Sequence, residues 1–322
     1  MWTRARYAYL LFGPAERAEM RPTEYMHKPS VRLALAAMVG LVVSVGISGP
    51  AAADPAPGAA VITLGDSFTA TAPLSEPLGG NCMHPPTSWP GQLAADMGIA
   101  GTPAFQDFSC NGAAIDTGTG WTLLQQARAA APFLGPGTRA VLIQLGFNDA
   151  WGSSARAFPS FDCLMDPVRG CDFDAVGQAR VPDFRAVTSA GYAERVRTVI
   201  DYVRYFAPHA RVVFVGYPAI FARPGNTACW DVAVIGHVVQ PRAQAYLAFL
   251  DALDAAQRDA ARILGIDYFN ARAVTAGHES CSPEPWIGGL TSLDSLTVGA
   301  PLHPTPFGNG VVAAAMKRQF AL

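Results

Sequence analysis

The 322-residue sequence is long enough for one large or two ordinary domains. Half of it is hydrophobic and only 15% is charged, and its 31 Gly and 26 Pro follow no fibrous repeat, so neither a disordered nor a fibrous chain fits. A formal net charge of -2, with no block of five Lys/Arg, offers no electrostatic footprint for nucleic acid.

The first segment reads as a targeting sequence. Met26-His27-Lys28 through Arg32 form a short basic stretch, Leu33 to Ile47 a 15-residue apolar run, and Ser48-Gly49-Pro50 a break. Ala51-Ala52-Ala53 then supplies the small residues a signal peptidase reads, which places the expected cleavage before Asp54. Residues 1–25 fit no part of such a signal, so the expected start is Met20 or Met26. Fifteen apolar residues are also short for a membrane span. The expected organisation is therefore a leader over 1–53 and one domain over 54–322, secreted or bound to the cell envelope, with no membrane span after cleavage.

Beyond residue 53, short apolar runs bounded by turn residues recur at Ala60–Leu64, Ala104–Phe108, Ala140–Leu145, Arg211–Val215 and Ile266–Phe269. Between them lie helical patterns. Tyr192, Val196, Val199, Ile200, Val203 and Phe206 share one face, as do Tyr246, Leu250, Leu253, Ala260 and Leu264. Strands that are apolar throughout, alternating with amphipathic helices, predict an α/β fold: a doubly wound, mostly parallel sheet with helices on both faces. The stretches 68–88, 150–187 and 271–302 are too long for plain connections and are expected to shape a site. All six cysteines, Cys82, Cys110, Cys163, Cys171, Cys229 and Cys281, lie in this region. An even count behind a secretory leader favours disulfides, and 15 connectivities are open, of which the sequential one closes modest loops. No Cys/His spacing suits zinc, so no metal is expected.

In a parallel sheet the reactive groups sit at the carboxyl ends of the strands. There the sequence has Gly65-Asp66-Ser67 after the first strand, Ser109-Cys110-Asn111-Gly112 after the second and Gly146-Phe147-Asn148-Asp149 after the third. Leu302-His303-Pro304-Thr305 stands near the end, where Thr305 can cap a helix beginning at Pro306. A serine hydroxyl becomes nucleophilic when an imidazole takes its proton, and the oxyanion then formed needs donors already aimed at it. Ser67 and His303 can supply the pair, and Ser67 N–H, Gly112 N–H and the Asn148 amide a three-donor oxyanion hole. The bland readings are a turn serine, a turn glycine and a capping asparagine. Asp149 reads as a cap or loop fastener, Asp66 has no derivable role, and Trp89, Trp151, Trp230 and Trp286 suit core packing better than an acyl pocket.

This set of motifs resembles the SGNH hydrolases of the GDSL esterase/lipase family over most of 60–322. The resemblance implies a flavodoxin-like three-layer sandwich with Ser67 as nucleophile, Gly112 and Asn148 as oxyanion residues and His303 as base. The cysteine spacing resembles secreted bacterial members with three sequential disulfides, here Cys82–Cys110, Cys163–Cys171 and Cys229–Cys281. One departure stands out. The family's D-x-x-H would put an aspartate at position 300, where this chain has Ala300. The imidazole is then oriented either by a backbone carbonyl near Ala300, giving a dyad, or by Asp294 from further away. The expected function is a secreted serine esterase or lipase that hydrolyses carboxylic esters, weakly tilted toward acyl lipids, with no cofactor, acting as a monomer. A carbohydrate acetylesterase on the same site, or a catalytically dead binding or cell-wall protein, are the alternatives. The elbow G-x-S-x-G is absent, since Thr69 occupies its last position.

Overall fold

The structure is a computed structural model and describes residues 57–73, 82–117, 121–152 and 162–322. The leader, the candidate starts Met20 and Met26 and the cleavage site before Asp54 lie outside the described residues. Five strands form the main sheet: β1 (Val61–Gly65), β2 (Phe105–Asp107), β3 (Ala140–Gln144), β4 (Arg211–Val215) and, after a two-stranded insert, β7 (Asp267–Phe269). All four pairings are parallel, in the order β2-β1-β3-β4-β7. The α/β sheet expected from the apolar runs is thus what the chain forms, with strand boundaries moved by at most one residue.

Strand periodicity divides the core into two halves. Ile62, Leu64, Val141, Ile143, Val212 and Phe214 point to one face, against the helices Leu123–Ala130, Ser189–Phe206 and Gln244–Leu264. Val61, Ala140, Leu142, Val213 and Val215 point to the other, against Trp89 and Leu93 of the Trp89–Asp96 helix and Val312, Ala313 and Met316 of the Pro306–Phe320 helix. Side chains alternate across a strand, so each half-core takes every second residue and the sheet is covered on both sides. Helix starts follow ordinary capping chemistry: Thr122, Thr188 and Thr305 each accept a backbone N–H from the first turn, and Thr122 with Gln125 completes a capping box.

One element was not legible in the sequence. β5 (Ala228–Val232) and β6 (Gly236–Gln240) pair antiparallel as a separate hairpin inside the long β4–β7 connection. Its turn contains Val234 at φ +72° and no Asn-Gly or Asp-Gly pair to announce it. Three disulfides, Cys82–Cys110, Cys163–Cys171 and Cys229–Cys281, tie down the long excursions from the sheet.

The strand order reverses direction between β1 and β3, which lie side by side with β2 and β4 outside them. Crevices open at such a switch point, at the carboxyl ends of the strands. Ser67 leaves β1 there and Asn148 follows β3.

Candidate active site

The turn after β1 is built to hold Ser67 in place. Asp66 caps the one-turn helix Ser67–Ala70, its Oδ1 accepting the Phe68 N–H at 2.9 Å. Behind it, Gln126 completes both backbone groups of Gly65: the Gly65 N–H donates to Oε1 at 2.8 Å, and Nε2 donates to the Gly65 carbonyl at 2.9 Å. A Cβ at residue 65 would lie 2.0 Å from Thr69 Oγ1, so only glycine lets the chain turn back this tightly. Gln144, at the end of β3, accepts from Thr69 at 3.0 Å and from Trp89 Nε1 at 3.1 Å. Ser67 itself is half-buried and reaches solvent from a floor of fully buried residues.

His303 stands just before the Pro306–Phe320 helix, next to Leu302, which packs into the same half-core as Phe68. Its segment is pinned by an antiparallel exchange with Gly288, in which Gly288 N–H donates to the His303 carbonyl at 2.9 Å and Leu302 N–H to the Gly288 carbonyl at 3.0 Å. The structure brings His303 Nε2 to 2.8 Å from Ser67 Oγ. On the far side of the ring, Nδ1 lies 2.8 Å from the Pro301 carbonyl. A carbonyl can only accept, so Nδ1 carries the proton and Nε2 faces Ser67 with its lone pair. The ring also stacks on Phe68, centroids 4.1 Å apart. Burial pushes the imidazole down from its ordinary value of 6.5 to about 4, with the Pro301 carbonyl pulling weakly the other way.

The two candidate orienters named from sequence fall differently. The Ala300 carbonyl accepts the backbone N–H of His303 at 3.2 Å, and the neighbouring Pro301 carbonyl accepts the imidazole Nδ1–H instead. Leu302 is the reason: its left-handed backbone, φ +58°, turns the chain so that the Pro301 carbonyl faces the ring. Asp294 sits beside Gly299 and Ala300 at a shallow crevice near His303, but its side chain is exposed and it makes no hydrogen bond to the ring.

Gly112 adopts φ +74°, a conformation that favours glycine, and its N–H is used by no hydrogen bond among the described residues. Asn148 Nδ2 donates to the Ala113 carbonyl at 2.9 Å, tying the loop after β3 to the residue that follows Gly112, and leaves its second amide hydrogen for another acceptor. Asp149 is a loop fastener, as its neighbours show. Its buried carboxylate accepts the Ile115 N–H at 2.9 Å, the Thr117 hydroxyl at 3.0 Å and the Arg195 guanidinium, which itself lies over the Trp151 ring. The Cys82–Cys110 disulfide secures the same loop from its other end. Trp89, Trp151 and Trp230 are buried, in keeping with packing roles.

Sequence reasoning missed Asp66 and Tyr217. The Tyr217 hydroxyl donates to Asp66 Oδ2 at 2.5 Å and accepts the Phe147 N–H at 3.0 Å. Burial raises Asp66 from 3.8 to about 7, against the lowering effect of the Tyr217 and Phe68 hydrogen bonds. Tyr217 follows β4 in a Gly-Tyr-Pro turn, and nothing local in that tripeptide announces a partner 151 residues away.

A family model described as GDSL-like lipase/acylhydrolase matches residues 63–311. The chain belongs to this family. It is a carboxylic ester hydrolase of GDSL type. Lipase 1 of Streptomyces coelicolor is 28% identical over 263 residues, covering 80% of this chain and 85% of that protein. The Streptomyces rimosus lipase is 28% identical over 284 residues, covering 87% and 94%. Among solved structures, phospholipase A1 from Streptomyces albidoflavus superposes with a TM-score of 0.56 at 23% identity, covering 81% of this chain and 99% of that one. The extracellular lipase of Streptomyces rimosus superposes with the same score at 21% identity and the same coverage. The GDSL hydrolase therefore shares its fold with these enzymes.

Proposed function

We propose that this chain is a secreted serine esterase acting on acyl lipids through a Ser67–His303 dyad. The observation that carries the reading is the 2.8 Å contact between Ser67 Oγ and an imidazole whose other nitrogen is occupied by the Pro301 carbonyl. Ser67 Oγ attacks the ester carbonyl carbon while Nε2 takes its proton. The carbonyl oxygen, now an oxyanion, is held by Ser67 N–H, Gly112 N–H and Asn148 Nδ2. Collapse expels the alcohol, which leaves with the proton from Nε2, and the acyl group stays on Ser67. Water, deprotonated by the same nitrogen, then releases the acid and restores the serine. No step calls for a cofactor.

The acyl-lipid preference rests on the relatives, which carry the names lipase and phospholipase A1. The apolar run over 33–47 within the leader and three disulfides support export, as does the extracellular lipase that shares this fold. The mature protein in this reading is a monomeric single domain over 54–322.

The test combines a p-nitrophenyl ester series from acetate to palmitate with fluorophosphonate labelling. Ser67→Ala should abolish both turnover and labelling, and Asn148→Ala should lower turnover by about 10² to 10³ with the fold intact. Labelling that survives Ser67→Ala would move the nucleophile elsewhere. A preference for acetate over every longer ester would remove the lipid assignment while leaving the mechanism.

A further inference from the structure

The proposed reaction needs its nucleophile and its third oxyanion donor on loops that leave different strands, Ser67 after β1 and Asn148 after β3. A peptide turn at the end of a strand is free to shift unless something fixes it. Here a single phenol touches both. Tyr217 Oη donates to Asp66 Oδ2 at 2.5 Å and accepts the Phe147 N–H at 3.0 Å. Asp66 immediately precedes Ser67, and Phe147 immediately precedes Asn148.

The phenol is itself held rigidly. Gly216 N–H donates to the Phe269 carbonyl at 2.9 Å, and the Gly216 carbonyl accepts from Gln144 Nε2 at 2.8 Å, so the backbone before Tyr217 is bonded to β7 on one side and β3 on the other. The Tyr217 ring meets Phe68 edge-on at 5.0 Å and Phe147 at 5.6 Å, and Phe68 in turn stacks on His303. Tyr217 and Asp66 are almost fully excluded from solvent. Water is therefore a poor substitute for either bond.

We propose that Tyr217 is a positioning residue for ester hydrolysis, its hydroxyl clamping the nucleophile turn to the oxyanion loop so that Ser67 and Asn148 stay in register. The proposal rests on the reading of Ser67 as nucleophile and Asn148 as oxyanion donor. The clamp acts on the transition state, because the position of Asn148 relative to the developing oxyanion matters more than its contact with a neutral carbonyl. Displacement of a catalytic group by about 1 Å can cost about 10² in rate.

Tyr217→Phe keeps the ring and its packing and removes only the hydroxyl. Expected is a fall in kcat of about 10² with KM within about threefold, since substrate binding does not use the clamp. The deciding measurement is the cycle with Asn148→Ala. If Tyr217 acts through Asn148, then Tyr217→Phe on the Asn148→Ala background costs less than about threefold, because the donor it positions has already gone.

Three outcomes separate the ideas. Loss by Asn148→Ala alone, followed by the full Tyr217→Phe factor on top, leaves the site reading standing and overturns the clamp. Unchanged kcat in Tyr217→Phe overturns the clamp as well. Full turnover in Asn148→Ala removes the oxyanion assignment, and the clamp falls with it. If the variant fails to fold, amide exchange in the parent decides. The Phe147 N–H should exchange only on global unfolding, and exchange at the rate of exposed loop amides would overturn the proposal.

Discussion

A histidine can take a proton from serine only while it is neutral, so the pKa of the free enzyme's imidazole sets the acid limit of kcat/KM. An unperturbed imidazole would impose that limit near pH 6.5. In this protein the ring is buried, stacked on Phe68, and bonded through Nδ1 to a neutral carbonyl, with no carboxylate among the described residues bonded to it. Desolvation therefore dominates and pushes His303 down to about 4. The sign is fixed by the role: a lowered pKa keeps the base neutral to lower pH, so kcat/KM should hold level from neutral pH to about pH 5 and fall by half near pH 4. Asp66, raised to about 7, is a second group next to Ser67 that titrates in this range, and Asp66→Asn removes it. A limb near pH 6.5 that persists in Asp66→Asn would show that His303 is solvated in the working enzyme. The missing carboxylate thus has a chemical consequence. In the proposed dyad the developing imidazolium gains less stabilisation than beside an aspartate, while the base stays neutral to more acid pH.

At the scale of elements, the stretch from Gly288 to the start of the final helix carries His303, the proposed base, and sets what its Nδ1 meets. Asp294 lies on the one-turn Leu293–Thr297 helix with its side chain exposed, whereas the Pro301 carbonyl is already 2.8 Å from Nδ1. Asp294→Asn should keep turnover within about tenfold of the parent, since losing a true orienting carboxylate costs about 10⁴. A loss of a thousandfold, with circular dichroism unchanged, would make Asp294 the third member. What could be read of this region in advance follows from range. The Gly65-Asp66-Ser67 turn, the Gly112 and Asn148 loops and the Thr305 cap before Pro306 are local features, each announced by residues within a few positions of an apolar run. The choice of Pro301 over Ala300 depends on one left-handed residue, Leu302, and on pairing with Gly288, and neither is visible in a tetrapeptide. The role of Asp66 depends on a tyrosine 151 residues later. The β5–β6 hairpin, with a turn through Val234 and Ile235, lacks the turn chemistry by which hairpins are recognised.

At the scale of the whole molecule, the described parts of the long excursions from the sheet carry only short helices and one two-stranded hairpin, and the disulfides stabilise them by limiting the unfolded chain. The three bridges span sequence separations of 28, 8 and 52 residues. In the chain-entropy account the gain grows with the logarithm of the loop, giving about 3.6, 2.6 and 4.2 kcal/mol for Cys82–Cys110, Cys163–Cys171 and Cys229–Cys281 respectively. Replacing each pair by alanines leaves no lone thiol to form new bridges, so the variants compare cleanly. Urea unfolding should rank them in loop order, with the Cys229→Ala/Cys281→Ala protein the least stable and the Cys163→Ala/Cys171→Ala protein nearest the parent. Geometry sets a second expectation that entropy alone does not. Cys110 is two residues from Gly112, but its N–H also donates to the Gly65 carbonyl at 3.0 Å, so the backbone keeps the proposed oxyanion loop beside the proposed nucleophile turn when the bridge is gone. The Cys82→Ala/Cys110→Ala protein should therefore lose stability while its folded fraction keeps kcat within about tenfold. A ranking unrelated to loop length would show that the bridges act through native contacts. A collapse of kcat in folded Cys82→Ala/Cys110→Ala would make that disulfide a working part of the oxyanion loop.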